Sequence, residues 1–155
     1  MPSGPKGEII NLNGVTKVYQ SGGMSVIAVD RVDLSVVAGE TVVIAGRSGS
    51  GKTTLLSLIG GLTRPTSGSV SIDGVELGSL NDKELSLIRN RKIGFIFQFA
   101  SLIPTLNAID NVRLPVIFGR ESQEDRKRAE ELLEGMGLSD KMFSYPSQLS
   151  GGEQR

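Results

Sequence analysis

The chain has 155 residues, 38% of them hydrophobic and 22% charged, a balance typical of a globular domain with a buried core. Its 17 Lys and Arg equal its 17 Asp and Glu in number, so no strong positive field is available to bind nucleic acid. Cysteine and histidine are absent, which excludes disulfides, thiolate metal sites and imidazole acid–base chemistry. No apolar run is long enough to cross a bilayer, so direct membrane insertion is not expected.

The first elements predicted are strands, followed by a turn and a helix. Strands are predicted at residues 8–20 and 26–37, the second from its alternation of apolar and polar residues. The short β-branched run 41–45 predicts a strand covered on both faces, as in a parallel sheet. After a glycine-rich turn, residues 53–59 predict a helix.

Beyond this helix the pattern returns briefly to strands. Asp73–Gly74 predicts a two-residue hairpin between strands 69–72 and 75–77. Residues 82–90 predict a helix with Asn81 as its N-cap, and residues 93–97 predict a further buried strand.

The remaining part of the chain is predicted to be mostly helical. Helices are expected at 107–117 and 123–136, with Ser122 and Asp125 forming a capping box and Gly137 ending the second helix. The sequence therefore predicts an α/β part at residues 1–98 and a helical part at residues 99–155.

One segment carries most of the chemistry. Gly46–Thr53, the phosphate loop, matches the spacing G-x-x-x-x-G-K-[ST] between a predicted strand and a predicted helix. Glycines let backbone N–H groups approach phosphate oxygens, Lys52 reaches the β- and γ-phosphates, and Thr53 offers a hydroxyl to Mg²⁺. The alternative is a glycine-rich turn that contains a lysine by chance. The predicted ATP-binding residues here are Gly46, Arg47, Ser48, Gly49, Ser50, Gly51, Lys52, Thr53 and Thr54.

Three further motifs narrow the class of P-loop protein. Leu149–Gln154, the signature segment, is similar to the LSGGQ motif of ATP-binding-cassette (ABC) ATPases. Gln98 resembles the Q-loop glutamine of that family, and Tyr19 resembles its adenine-stacking aromatic. Because the four motifs occur in the family's order, the chain resembles an ABC ATPase. The resemblance implies a P-loop NTPase core with an antiparallel β subdomain and a helical subdomain.

The resemblance also implies roles for these residues. Tyr19 would stack on adenine, although an aromatic at a strand end can simply pack. Lys52 and Gln98 are the catalytic candidates. Gln98 would bind Mg²⁺ or orient the attacking water, although a loop glutamine is often only solvated. Ser150, Gly151, Gly152 and Glu153 would contact the ATP of a second subunit, although a serine before glycines also suits a helix N-cap.

Residues 102–115 resemble the lipoprotein-releasing, macrolide-efflux and cell-division ATPases of the family. The resemblance implies a homodimer of ATPase subunits on a membrane permease, a cytoplasmic position at the inner face of the membrane, and ATP with Mg²⁺ as ligands. An apolar surface with two prolines here suits docking of a permease helix. The alternative is that these apolar residues simply pack within the helical part.

The sequence departs from the family pattern at its C-terminal end. The Walker B strand, its aspartate, the catalytic glutamate and the switch histidine would all follow Arg155, so the fold is expected to be incomplete there. Residues 1–155 are thus expected to bind ATP without completing hydrolysis, and to expose residues 41–45 where a neighbouring strand is missing. The alternatives are a catalytically inactive regulatory fragment and a soluble, non-transport ABC protein.

Overall fold

The computed structural model describes residues 7–98, 101–117 and 122–155. The chain divides into two compact units, Met1–Gly94 and Phe95–Arg155. Within the described residues, no helix combines the length and apolar character that a transmembrane span requires.

The first unit is built on one four-stranded antiparallel sheet. Its strands are β1 (Glu8–Ser21), β2 (Met24–Val37), β3 (Ser67–Ile72) and β4 (Val75–Glu76), in the order β2-β1-β3-β4. The strands predicted at 8–20 and 26–37 and the short hairpin are therefore confirmed. The Asp73–Gly74 turn has φ angles of 47° and 76°, as a two-residue hairpin turn with right-handed strand twist requires.

Two helices pack on this sheet. Helix α1 (Lys52–Ile59) follows the phosphate loop, and α2 (Asp82–Lys92) begins at Asn81, whose side chain accepts hydrogen bonds from the backbone N–H groups of Lys83 and Glu84. A 3₁₀ turn, Leu77–Ser79, links β4 to α2. The core between sheet and helices contains Leu12, Val15, Val29, Leu58, Val70, Ile72, Leu77 and Leu85.

The second unit consists of α3 (Ala108–Ile117), α4 (Gln123–Gly135) and two 3₁₀ turns, Ser139–Lys141 and Pro146–Gln148. The predicted Ser122–Asp125 capping box is present at the start of α4, and Gly137 follows its end with a φ of 72°. A separate small core joins the two helices to the signature segment and contains Ala108, Ile109, Ala129, Leu133 and Leu149.

Two predicted strands are wrong. Residues 41–45 and 93–97 have no strand structure, and most of their side chains are exposed, reaching 84% at Val43 and 92% at Ile96. A strand forms only where a neighbour accepts and donates its backbone hydrogen bonds, and the described residues place no strand beside either run. The exposure expected for residues 41–45 without a neighbouring strand is therefore observed.

Helix α1 provides a matched test of this core. Leu58 is 1% exposed, whereas Leu56 on the same helix is 52% exposed. Leu58→Ala should lower the free energy of unfolding by about 2–5 kcal/mol because it leaves a cavity. Leu56→Ala should cost less than about 1 kcal/mol. Urea unfolding followed by circular dichroism measures both, and equal losses would contradict the packing described.

Candidate functional site

The phosphate loop joins the extended run 41–45 to helix α1. Gly51 is the N-cap of α1 and has a φ of 87°, a left-handed conformation that glycine adopts without strain. The Lys52 ammonium turns back over the loop and donates hydrogen bonds to the backbone oxygens of Gly46 (3.0 Å) and Arg47 (2.7 Å) and to Ser50 Oγ (3.3 Å). The cation therefore lies within the curve of the loop.

Strand β2 packs against this loop. A Cβ atom added to Gly51 would lie 2.1 Å from the backbone oxygen of Ala28, so only glycine permits the approach. Between strand and loop is a cavity of about 280 Å³. The lining residues are Ala28, Val29, Asp30, Val32, Ile44, Ala45, Gly46, Ser50, Gly51, Lys52 and Leu55.

Tyr19 lies near this cavity without lining it. It pairs across the β1–β2 ladder with Val26, two residues before Ala28 on β2, which corresponds to about 7 Å along the strand. The ring is 43% exposed. The Lys17 ammonium lies 5.1 Å from the ring centroid, within the range of a cation–π contact.

The loop and the start of α1 fit a magnesium-bound polyphosphate. The Lys52 ammonium lies over the loop, and the N-terminal end of α1 favours negative charge. Thr53 is exposed in the first turn of α1 and Thr54 is half-buried. The Thr53 hydroxyl is a hard oxygen ligand of the kind that Mg²⁺ prefers.

The other predicted site residues belong to the second unit. Gln98 is exposed directly after the run 93–97. Ser150, Gly151 and Gly152 are also exposed, whereas Leu149 is buried in the core of this unit. The buried leucine fixes the position from which the signature segment reaches solvent.

Glu153 is held by two groups within its own unit. One carboxylate oxygen accepts a hydrogen bond from Lys141 Nζ (2.5 Å), and the other accepts from the backbone N–H of Ser150 (2.7 Å). The Lys141 hydrogen bond, followed by those from the Ser150 backbone and hydroxyl, lowers the pKa of Glu153 to about 2. The same contact raises the pKa of Lys141, so both groups are charged at neutral pH.

Sequence reasoning missed two parts of this arrangement. The wall formed by Ala28, Val29 and Asp30 has no motif, since strand pairing and the glycine contact alone bring it to the loop. Lys141 was also missed, because it lies 12 residues before its partner Glu153. The spacing of Ser150 and Glu153 did carry a signal, that of a capping box.

Comparison with known proteins gives consistent results. The family model described as ABC transporter matches residues 29–155. An uncharacterized ABC transporter ATP-binding protein of Thermotoga maritima is 47% identical over 149 residues, which are 96% of this chain and 64% of that protein. The lipoprotein-releasing system ATP-binding protein LolD of Pseudomonas syringae pv. tomato is 43% identical over 148 residues, covering 95% of this chain and 65% of the relative.

Among solved structures, the chain is similar to the ATP-binding cassette MJ0796 in a dimeric, post-hydrolysis state bound to ADP and Pi. The TM-score between the two is 0.86 and their sequences are 46% identical. The match covers 94% of this chain and 65% of that one, so the chain spans about two thirds of the proteins of this kind that it matches. The similarity to LolD, which extends over 95% of this chain, confirms the predicted resemblance of the chain to lipoprotein-releasing ATPases. The chain belongs to the ABC transporter family, as an ATP-binding domain of the type found in LolD.

Proposed function

We propose that this chain is the ATP-binding part of an ABC transporter, coupling ATP binding and hydrolysis to a membrane permease. The observation that carries the proposal is the phosphate loop itself. Lys52 is held over the loop by two backbone oxygens, so its ammonium is already beside the backbone that would bind the phosphates. When phosphates enter, the Lys52 ammonium exchanges these oxygens for β- and γ-phosphate oxygens.

Magnesium-ATP is the proposed ligand. The Thr53 hydroxyl is the proposed ligand of Mg²⁺ at the phosphate loop, and the ion would neutralise charge between the phosphates. Residues 46–54 hold the phosphates through backbone N–H groups and the Lys52 cation. Tyr19 is the proposed adenine platform, a role supported by its pairing with Val26, which lies about 7 Å along β2 from that strand's contact with Gly51.

The signature segment is proposed to complete a nucleotide site on a second copy of the chain. Ser150, Gly151 and Gly152 are exposed, so their polar groups are accessible to an incoming phosphate. The dimeric state of the MJ0796 cassette supports the same arrangement here. A homodimer would then contain two sites, each with one copy's phosphate loop and the other copy's signature segment.

A permease subunit is the proposed membrane partner, and the cytoplasmic face of the membrane the proposed location. The relative LolD is named as part of a lipoprotein-releasing system, which supports a related cargo. Residues 102–115 offer the docking surface, with Ile103 and Val112 each 37% exposed. The Asn111 side chain fixes this surface by hydrogen bonds to both the N–H and the backbone oxygen of Ile103.

The first prediction concerns the phosphate loop. Lys52→Ala removes the cation that faces the β- and γ-phosphates, so affinity for ATP should fall tenfold or more, equivalent to at least ~1.4 kcal/mol. Isothermal titration calorimetry with Mg-ATP measures this. Lys83→Ala, which removes an exposed lysine of α2, is the matched control and should bind as the unaltered chain does. Unchanged affinity in a folded Lys52→Ala variant would contradict the proposal.

The second prediction separates adenine stacking from simple packing at Tyr19. Tyr19→Leu should weaken ATP and ADP binding alike, by roughly 1–3 kcal/mol, because the flat aromatic face is lost. Tyr19→Phe and Tyr19→Trp keep that face and should bind within about threefold of the unaltered chain. Fluorescent-nucleotide titration compares the set. If leucine is tolerated as well as phenylalanine, Tyr19 has only a packing role.

The third prediction concerns turnover by residues 1–155 alone. Binding of phosphates and Mg²⁺ stabilises the ground state, whereas rate acceleration needs a group that acts on the attacking water in the transition state. We expect Mg-ATP binding without steady-state phosphate release above that of Lys52→Ala. Phosphate release is measured with and without an added full-length cassette relative. Lysine-dependent hydrolysis by residues 1–155 would refute this expectation, and binding without coupling to any permease would favour a regulatory fragment.

A further inference from the structure

The signature segment is anchored on both sides by its own unit. Gln154 donates hydrogen bonds through its side-chain amide to the backbone oxygens of Pro146 (2.7 Å) and Leu149 (3.0 Å). Leu149 is 8% exposed and packs with α3 and α4. The exposed residues Ser150–Gly152 therefore lie between two fixed points.

Glu153 sets the hydrogen-bonding state of Ser150. Its carboxylate accepts a hydrogen bond from the Ser150 backbone N–H, and its own backbone N–H donates a hydrogen bond to Ser150 Oγ at 3.4 Å. The Ser150 hydroxyl also hydrogen-bonds the Glu153 carboxylate, so Glu153 contacts both the backbone and the side chain of Ser150. The orientation of the exposed Ser150 side chain therefore depends on where the Glu153 carboxylate is held.

The same carboxylate is a potential obstacle to ATP. A full negative charge three residues from a hydroxyl that faces a polyphosphate repels it, unless a cation lies close to the carboxylate. Lys141, on the 3₁₀ turn Ser139–Lys141, supplies that cation. Both side chains are partly accessible, at 37% for Lys141 and 27% for Glu153, so an approaching charged ligand would experience the charge of the pair.

We propose that Lys141 is a positioning residue for the nucleotide site of a second copy, neutralising Glu153 and holding it as the cap of Ser150. This inference rests on the proposed function, since it requires the signature segment to meet ATP. It assigns Glu153 to organising Ser150 rather than to touching the nucleotide. The alternative is an ordinary surface ion pair, which would contribute little and affect only stability.

The test is a double-mutant cycle on the charges of Lys141 and Glu153. The measured quantity is the association of the 155-residue chain that Mg-ATP induces. Sedimentation velocity compares Lys141→Met, Glu153→Gln and the double variant at about 0.05 M and about 0.5 M salt, because salt screens only the electrostatic part. Lys141→Met should weaken association about tenfold at low salt, with the deficit mostly lost at high salt. Glu153→Gln should strengthen it, since its amide still caps Ser150 while Lys141 is released towards the phosphates. The double variant should return to within about threefold of the unaltered chain.

Matched controls separate this effect from folding and from nucleotide binding. Lys127→Met removes one positive charge from an ion pair on α4, with Glu131 at 3.8 Å, and should leave association unchanged. Association without nucleotide, and in Lys52→Ala, reports contacts through exposed apolar segments and is subtracted. Thermal unfolding reports whether each variant folds. If Lys141→Met does not fold, Lys141→Arg should retain association and Glu153→Gln should still strengthen it.

Three results would overturn the inference. Lys141→Met could behave as Lys127→Met does at both salt concentrations, or its deficit could persist in the double variant, as loss of a merely structural contact would. The unaltered chain could also show no association beyond that seen without nucleotide. ATP affinity of the dilute chain, measured separately, reports the phosphate loop alone, so failure here is distinguishable from failure of the proposed function.

Discussion

The contact between Gly51 and β2 is the constraint on which the rest of the nucleotide site depends. The backbone oxygen of Ala28 lies only 2.1 Å from where the Cβ of any other residue would be, so the loop, the N-terminal end of α1 and the strand meet at one point. Leu58, seven residues after Gly51, is buried against the sheet and holds α1 in this position. The packing of the hydrophobic core therefore also determines where the phosphate loop lies.

Backbone pairing explains which parts of the chain are regular. Strands β1, β2, β3 and β4 satisfy one another's hydrogen bonds and cover a core. Residues 41–45 and 93–97 have equally strong strand composition, but the described residues offer them no neighbouring strand. Their exposed apolar side chains mark surfaces that favour association with another segment or chain. The phosphate loop follows the first of these runs directly, so its rigidity depends on whether that run is paired.

The second unit uses charge rather than close packing to prepare its site. Leu149 anchors the signature segment, and the Lys141–Glu153 pair determines the direction of the carboxylate and of the Ser150 hydroxyl. An ion pair at a partly accessible position contributes little to stability. It has more effect on which charged ligand can approach. The proposed phosphate contacts thus depend on different features in the two units, a glycine-rich loop in one and a neutralised carboxylate in the other.

Elements with local signals could be predicted from the amino-acid sequence alone. The Asp73–Gly74 turn, the Asn81 and Ser122 caps and the alternation in β2 depend on residues a few positions apart, and all are present. The phosphate loop and signature segment were recognisable for the same reason, since each is a contiguous motif. The fold was needed to show that residues 41–45 and 93–97 are unpaired, that Ala28 forms the wall behind Gly51, and that Lys141 meets Glu153. Each of these depends on a partner distant in sequence, and neither β-propensity nor a charge pattern specifies which distant group becomes a neighbour.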